Sequence, residues 1–283
     1  MAQSITNAFV TLFDAEVKQA YQSESSLLGC VRLRQGVQGN TYKFPKLGKG
    51  SATARIPQTD VTPLNVTYSQ VEATMSDYNA AEYSDIFHQS KVNFDERQEL
   101  VQVVSKAIGR RMDQLIIDAI AAASSPSTVA NTIVTSGSAG ASNLNVGKLI
   151  AAKKALDAKN VPFDDRHIIV HANSLSGLLG DERAISGDYA SVKALVSGEI
   201  NTFLGFKFYV LGDRDEGGLA VDGSSDRVVY AFHRSAIGMG VNMAQKTEIN
   251  YIPEKTSFLV NSMFSAGAVA IEDDGIVAVT CRE

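Results

Sequence analysis

Residues 93–124 leave this chain fewer choices than any other stretch. Leu100, Val103 and Val104, Ala107 and Ile108, Met112, Leu115, Ile116 and Ala119 recur at steps of three and four, the spacing that lines up one face of an α-helix. Arg97, Lys106, Arg110, Arg111 and Asp113 take the other positions, so one side is expected to be buried and the rest to meet polar surroundings. Asn93 stands where an N-cap belongs, with Glu96 three residues on, and Asp95 and Glu96 suit the positive end of the dipole. The run of Ala and Ser before Pro126 stops the helix, and only Gly109 weakens its interior. At 1.5 Å per residue it is roughly 45 Å long, about twice an ordinary globular helix. The pattern does not persist for enough heptads to be a coiled coil, which leaves a spine crossing a flat domain.

The rest of the chain narrows the class by exclusion. Its 283 residues give room for two packing units, and 45% apolar with 20% charged residues is ordinary globular composition. Lys and Arg number 26 against 31 Asp and Glu, a net charge of −5, so there is no basic excess of the kind that grips nucleic acid. Cys30 and Cys281 are too few for a secreted disulfide framework and are expected to be free thiols in a reducing compartment. No signal-peptide pattern and no run of about 18 apolar residues occurs, so a cytosolic product without a membrane span is expected.

Taken in order, Ile5, Phe9, Leu12, Phe13, Val17, Ala20 and Tyr21 form the stripe of a short amphipathic helix, which must dock either on its own domain or on a neighbouring subunit. Residues 36–61 are rich in Gly, Lys, Thr and Ser. Strands are expected at 41–45 and 52–56, joined by the basic tip Lys46 to Ser51 as a hairpin too thin to bury itself. It is either a surface loop or an arm supported by another chain. Strand character returns at 66–80 and leads into the spine. The Ser- and Gly-rich residues 136–142 mark a boundary between units, and α/β grammar follows. A helix from Val146 closes at Asn160 and Pro162, 167–170 read as a buried strand, and Asn173 is placed to cap a short helix. Another short helix lies near Val192 and Leu195. Two strands meet at Leu204 and Gly205, and a polar loop spans 212–226. Strands are expected at 228–232, 249–252, 257–264, 268–271 and 276–280, with a turn at 272–275 between the last two.

Chemistry is scarce. His167 and His171 are four apart on a strand, where that spacing is about 13 Å and cannot share a metal. His88 and His233 lack ligand-spaced companions. The Gly48, Lys49, Gly50 and Ser51 run lacks the spacing of a phosphate loop, and Asp213, Asp215, Gly217 and Gly218 lack the further carboxylates of a calcium loop, leaving a solvated loop. No catalytic, cofactor or metal residue is assigned.

Arm, unsupported basic hairpin, spine, α/β unit and returning strands, in that order, resemble the major capsid protein of tailed phages, the Hong Kong ninety-seven coat fold, in its short-tailed phage form. Lys43, Phe44 and Pro45 with Leu47 and Gly48, Ser84 and Asp85, Gly198, Glu199 and Ile200 with Leu204, Gly205 and Phe206, and Tyr230 through Gly238 carry the resemblance. It implies an α+β phage capsid fold: an N-terminal arm over 1–37, an extended β-hairpin loop over 38–76, a peripheral domain with the spine over 77–135 joined by strands from about 227–265, and an α/β axial domain over 136–226 joined by 266–283. It implies a virion shell protein, made in the host cytoplasm, that self-assembles into hexamers and pentamers of an icosahedral head around double-stranded DNA. A separate scaffolding protein and a portal are expected as partners. Phe9, Phe13, Tyr42, Lys43, Phe44, Lys46, Leu47, Lys49, Arg55 and Arg110 are the expected inter-subunit contacts. The alternatives are an encapsulin-like compartment shell of the same fold, or a cytosolic α/β enzyme using the 212–226 loop.

Overall fold

The computed structural model describes residues 22–58, 60–61, 63–91, 95–135, 140–181 and 202–283. The N-terminal helix with Phe9 and Phe13, the Asn93 cap, most of the 136–142 connector and the helix near Val192 lie outside the described residues. The elements run β1 (Arg32–Gln35), β2 (Thr41–Leu47), β3 (Tyr68–Thr74), β4 (Ser76–Asp85), α1 (Ile86–Gln89), α2 (Glu96–Ala121), β5 (Ser127–Val129), α3 (Val146–Ala158), β6 (Arg166–His171), α4 (Ala172–Leu179), β7 (Thr202–Phe203), β8 (Phe206–Leu211), β9 (Asp226–His233), β10 (Ile237–Ile252), β11 (Ser257–Ala270) and β12 (Ile276–Arg282).

The spine is α2, 26 residues long, about 39 Å. Asp95 caps it by accepting from the Arg97 N–H, while Glu96 turns aside to accept from the Ser84 hydroxyl at 2.7 Å. Val104, Ile108, Met112, Ile116 and Ala119 are buried as the periodicity requires, joined by Ile117 and Ile120. Asp113 departs from expectation: placed by the sequence on a polar face, it is fully buried.

Among the described residues the strands form three sheets. A four-stranded sheet in the order β1-β10-β11-β4 lies against the spine, a six-stranded sheet follows the order β5-β12-β9-β6-β8-β7, and β2 with β3 forms a separate ribbon. One core joins Ile108, Met112, Ile116 and Ile120 of the spine to Met239 and Phe264 of the first sheet and to Ile169, Phe232 and Ile276 of the second. The far face of the six-stranded sheet is covered by Leu149, Ala152 and Leu156 of α3, packed on Ile168, Val170, Val229 and Val277. That double cover explains why β6 is buried at every residue. α3 ends as its sequence asks: Asn160 is left-handed at φ 57°, with Val161 N–H bonded to Leu156 O and Asn160 N–H to Asp157 O. Leu204 and Gly205, at φ 52° and 87°, make the tight turn between β7 and β8. The cap of α4 falls two residues before Asn173, on His171, whose Nδ1 accepts from the Asn173 N–H. Both cysteines are free and buried.

The strands after residue 226 pair differently from their sequence reading. β9 lies between β12 and β6 in the six-stranded sheet, not with the spine's sheet. β10 continues through 16 residues where only its last four read as strand, because its Gly, Ala, Lys and Glu content and two register shifts at Val241/Met243 and Met243/Lys246 hide it. β11 is continuous across the small residues at 265–268, and the 272–275 turn carries the chain from one sheet to the other instead of closing a hairpin.

His167 sits in β6 against Tyr209 and Phe232, with neither ring nitrogen hydrogen-bonded. Burial pushes its pKa down from 6.5 to about 4, against a small opposing pull from Asp165. The folded chain therefore binds fewer protons than the unfolded one, so stability is complete above pH 6.5 and falls as pH drops from 6.5 to about 4. The loss expected from this residue is about 3 kcal/mol. Urea unfolding at pH 7 and pH 4.5 is expected to show a smaller acid loss in His167→Phe than in the parent; an equal loss in both would remove His167 from the acid response.

Candidate inter-subunit surface

Two kinds of surface meet at the spine, one satisfied within the chain and one not. Asp113 organises the first. Its carboxylate accepts from the Ser25 hydroxyl at 2.8 Å and from the backbone N–H groups of Ser26 and Leu27 at 3.1 Å, and pairs with Arg214 Nη1 at 3.0 Å. Gly109, which costs the helix about 1 kcal/mol relative to Ala, lies where a Cβ would come within 3.3 Å of Ser25. The sequence weakness is thus the passage for the segment that crosses the spine. One turn earlier, Arg110 Nε donates to both carboxylate oxygens of Glu216 at 2.9 Å, and at the position after Asp113 Gln114 accepts from the Gly218 N–H at 2.7 Å. Burial alone would raise the Glu216 carboxyl, but the hydrogen bonds and charge of Arg110 hold it below the usual range.

These contacts correct two expectations. Arg110 was assigned to a neighbour's surface, and its side chain, 12% exposed, is committed to Glu216. The 212–226 loop was read as solvated, and as the site of a rival enzyme; it is docked on the spine through Arg214, Glu216 and Gly218, with Leu219 in the core.

The extended loop divides at Phe44. The expected partner strand at 52–56 does not form; β2 pairs instead with β3, Thr41 opposite Thr74 and Leu47 opposite Tyr68. Opposite Val71 in the ribbon, Phe44 is buried with Val37, Ala73, Met75 and Ile271, and Tyr42 meets it edge-on at 4.8 Å. A Cβ at Gly238 would lie 2.7 Å from the Phe44 ring, so that strand is shaped to receive it. Phe44 is therefore a core anchor of its own chain, and the base of the loop contributes to stability where the sequence composition argued that it would not. Beyond it the loop is open: Leu47, Leu64 and Tyr68 are 59%, 57% and 83% exposed, Val61 is 92% exposed, and Lys43 and Arg55 lie at the surface.

Two lysines tether this outer part to an acidic turn that sequence reasoning took for a simple reversal. Lys46 pairs with Glu272 at 2.9 Å, and Asp274 with both Lys49 at 3.3 Å and Lys159 at 2.6 Å, while Asp273 accepts from the Ser125 N–H beyond the end of the spine. The Lys159 hydrogen bond, aided by Lys49, holds the Asp274 carboxyl below its usual value. Lys49 is 84% exposed, and exposed pairs of this kind contribute about 0–1 kcal/mol each. The tether positions the loop without locking it. Among the described residues, no group of three or more His, Cys, Asp or Glu side chains is arranged to hold a metal, and no helix is long and apolar enough to cross a membrane.

The long helix thus packs at the junction of two sheets, and a separate ribbon carries the exposed loop. A family model described as phage capsid protein matches residues 5–283, and the chain belongs to that family. No curated protein matches it in sequence. Among solved structures, the capsid of cyanophage P-SCSP1u superposes with a TM-score of 0.76 at 14% identity, over 100% of this chain and 96% of that one. The head of Helicobacter pylori bacteriophage KHP40 gives 0.79 at 10% identity over 99% and 98%. The capsid of Ralstonia phage GP4 gives 0.74 at 10% over 96% and 95%. The protein is a structural subunit of a phage head.

Asp113→Ala leaves the Arg214 cation and two backbone donors buried without their acceptor, and is expected to cost about 3–5 kcal/mol in urea unfolding. Phe44→Ala is expected to cost a similar about 3–5 kcal/mol. Losses below about 1 kcal/mol would contradict the roles given to these side chains.

Proposed function

We propose that the chain assembles into hexamers and pentamers that close into an icosahedral head around double-stranded DNA, with no catalytic step, and that the outer part of the extended loop is where copies grip one another. The observation that carries this is the state of that loop. Leu47, Val61, Leu64 and Tyr68 stand more than half exposed on a segment that its own chain holds at its base by the β2–β3 ladder and the Gly48 N–H to Thr67 O bond, and farther out by weak ion pairs. Each such side chain gains about 1.5–3 kcal/mol when buried, so a neighbour that covers several of them supplies a contact the single chain lacks. Repeating it around a closed shell multiplies a modest affinity. Leu47, Lys43 and Arg55 belong to that contact, as do Phe9 and Phe13 of the arm, while Lys46 and Lys49 exchange their partners on the acidic turn for acidic groups of a neighbour. The charge agrees with a container: at −5 the subunit avoids the counterion-release attraction that would clamp packaged DNA. A scaffolding protein and a portal complete the partner set, and the virion is the final location after synthesis in the host cytoplasm.

Replacing residues 49–66 by a short Gly-Ser turn, which leaves Phe44 and the ribbon intact, is expected to change unfolding free energy by less than about 1 kcal/mol while abolishing closed particles in electron micrographs. Shells formed by this deletion would remove the outer loop from assembly.

A further inference from the structure

One buried imidazole stands where β6, α4 and the loop after β8 meet. His171 closes β6, and its side chain is 4% exposed. The Asn173 backbone N–H donates to His171 Nδ1 at 3.3 Å, which makes the ring the N-cap acceptor of α4. A ring nitrogen that accepts carries no proton, so the proton sits on Nε2, which donates to Asp213 Oδ1 at 3.2 Å. Both nitrogens of the neutral ring are thus used. A second acceptor lies beside the first nitrogen: Glu283 Oε1 is 3.6 Å from Nδ1, lone pair facing lone pair.

Asp213 faces the ring from the loop after β8 and Glu283 from the residue after β12, while Arg227 of β9 stands behind Glu283, donating to it from Nε at 2.7 Å and Nη2 at 3.0 Å. Asn173 Nδ2 donates to the same carboxylate at 3.3 Å. Burial alone would raise the Glu283 carboxyl, but the hydrogen bonds from Arg227 and Asn173 hold it below the usual range, so it is an anion while histidines titrate. Imidazole ordinarily changes charge between about pH 5 and 8. A proton added to Nδ1 would oppose the Asn173 N–H, donor against donor, and would give Glu283 a charge-assisted partner. The two protonation states therefore make mutually exclusive contacts. We propose that His171 is a proton-operated switch: neutral, it caps α4 and holds Asp213; charged, it gives up the cap and clasps Glu283 and Asp213 together. The consequences run in opposite directions. α4 loses its cap acceptor, and loosens with it the grip on Asn143, whose Nδ2 donates to Asn173 O at 3.1 Å. The 212–226 loop, already pinned to the spine by Arg214 on Asp113, is drawn harder onto β6 through Asp213. Acid thus exchanges order in α4 for a firmer seam between the spine and the six-stranded sheet. This response is separate from that of His167, which takes up its proton at about pH 4.

Amide hydrogen exchange of the full-length subunit at pH 7.5 and pH 5.5, corrected for the intrinsic effect of pH, tests it alongside nitrogen NMR shifts of the His171 ring. The ring is expected to pass from the Nε2-protonated tautomer to the doubly protonated form. Amides of residues 175–179 are expected to exchange at least fivefold faster at pH 5.5, while those of α2 change by less than twofold. His171→Asn keeps a cap acceptor that takes up no proton and is expected to abolish the acceleration. Asp213→Asn, at a side chain 92% exposed, removes one anion from the charged form and is expected to move the acceleration to lower pH. A ring that stays neutral at pH 5.5, or α4 exchange that is unchanged although the ring is charged, overturns the proposal. Equal acceleration in His171→Asn overturns it too. Should that variant not fold, an unmoved transition in Asp213→Asn does so instead.

Discussion

A single buried carboxylate holds the described part of this molecule in register. Asp113 lies in the middle of the spine's apolar stripe, where an ionised group is tolerated only if its charge and lone pairs are met. They are met from two directions: the Ser25, Ser26 and Leu27 segment arrives on one side, and Arg214, from the loop between β8 and β9, on the other. Hydrophobic burial would allow either segment to slide along the helix; four directed hydrogen bonds do not. Arg110 with Glu216, a turn earlier, and Gln114 with Gly218, at the next position, repeat the second attachment, so the six-stranded sheet and the spine are tied by polar contacts around a shared apolar core.

That self-sufficiency ends at Phe44. At the ribbon's base the apolar side chains Val37, Tyr42, Phe44, Ala73 and Met75 have cover within the chain; outward, apolar groups stand in water and lysines rest on an acidic turn through pairs worth little. A fold that completes one half of itself and leaves the other half waiting suits a subunit whose final environment is other copies of itself. The weak tether fits the same purpose, since a loop that must change partners during assembly is better poised than locked. Copies of a protein in a closed shell see one another at high effective concentration, which turns contacts too weak for a dimer into a stable particle.

The spine was legible because its signal is local and periodic, and so were the left-handed stop at Asn160, the Leu204 and Gly205 turn and the fully buried β6. What was not legible depends on pairs distant in sequence. Asp113 finds Arg214 across 101 positions, and Lys49 finds Asp274 across 225, separations at which a single sequence offers no pairing signal. Asp113 stands four residues after Gly109, one turn along the helix, and only the burial of both shows that a segment crosses there. The ribbon was misassigned for a different reason. Residues 52–56 have strand composition but no partner in their own chain, and composition alone does not say whether a strand finds its ladder within a molecule or between molecules.

Amide hydrogen exchange compared between the unassembled subunit and the closed shell addresses the central claim, that the chain is complete at the spine and incomplete at the loop. The account predicts slow exchange across α2 and β11 in both states, and fast exchange at residues 49–58 in the free subunit that slows by at least tenfold in the shell. Equal protection of the loop in both states, or a spine that becomes protected only on assembly, would contradict it.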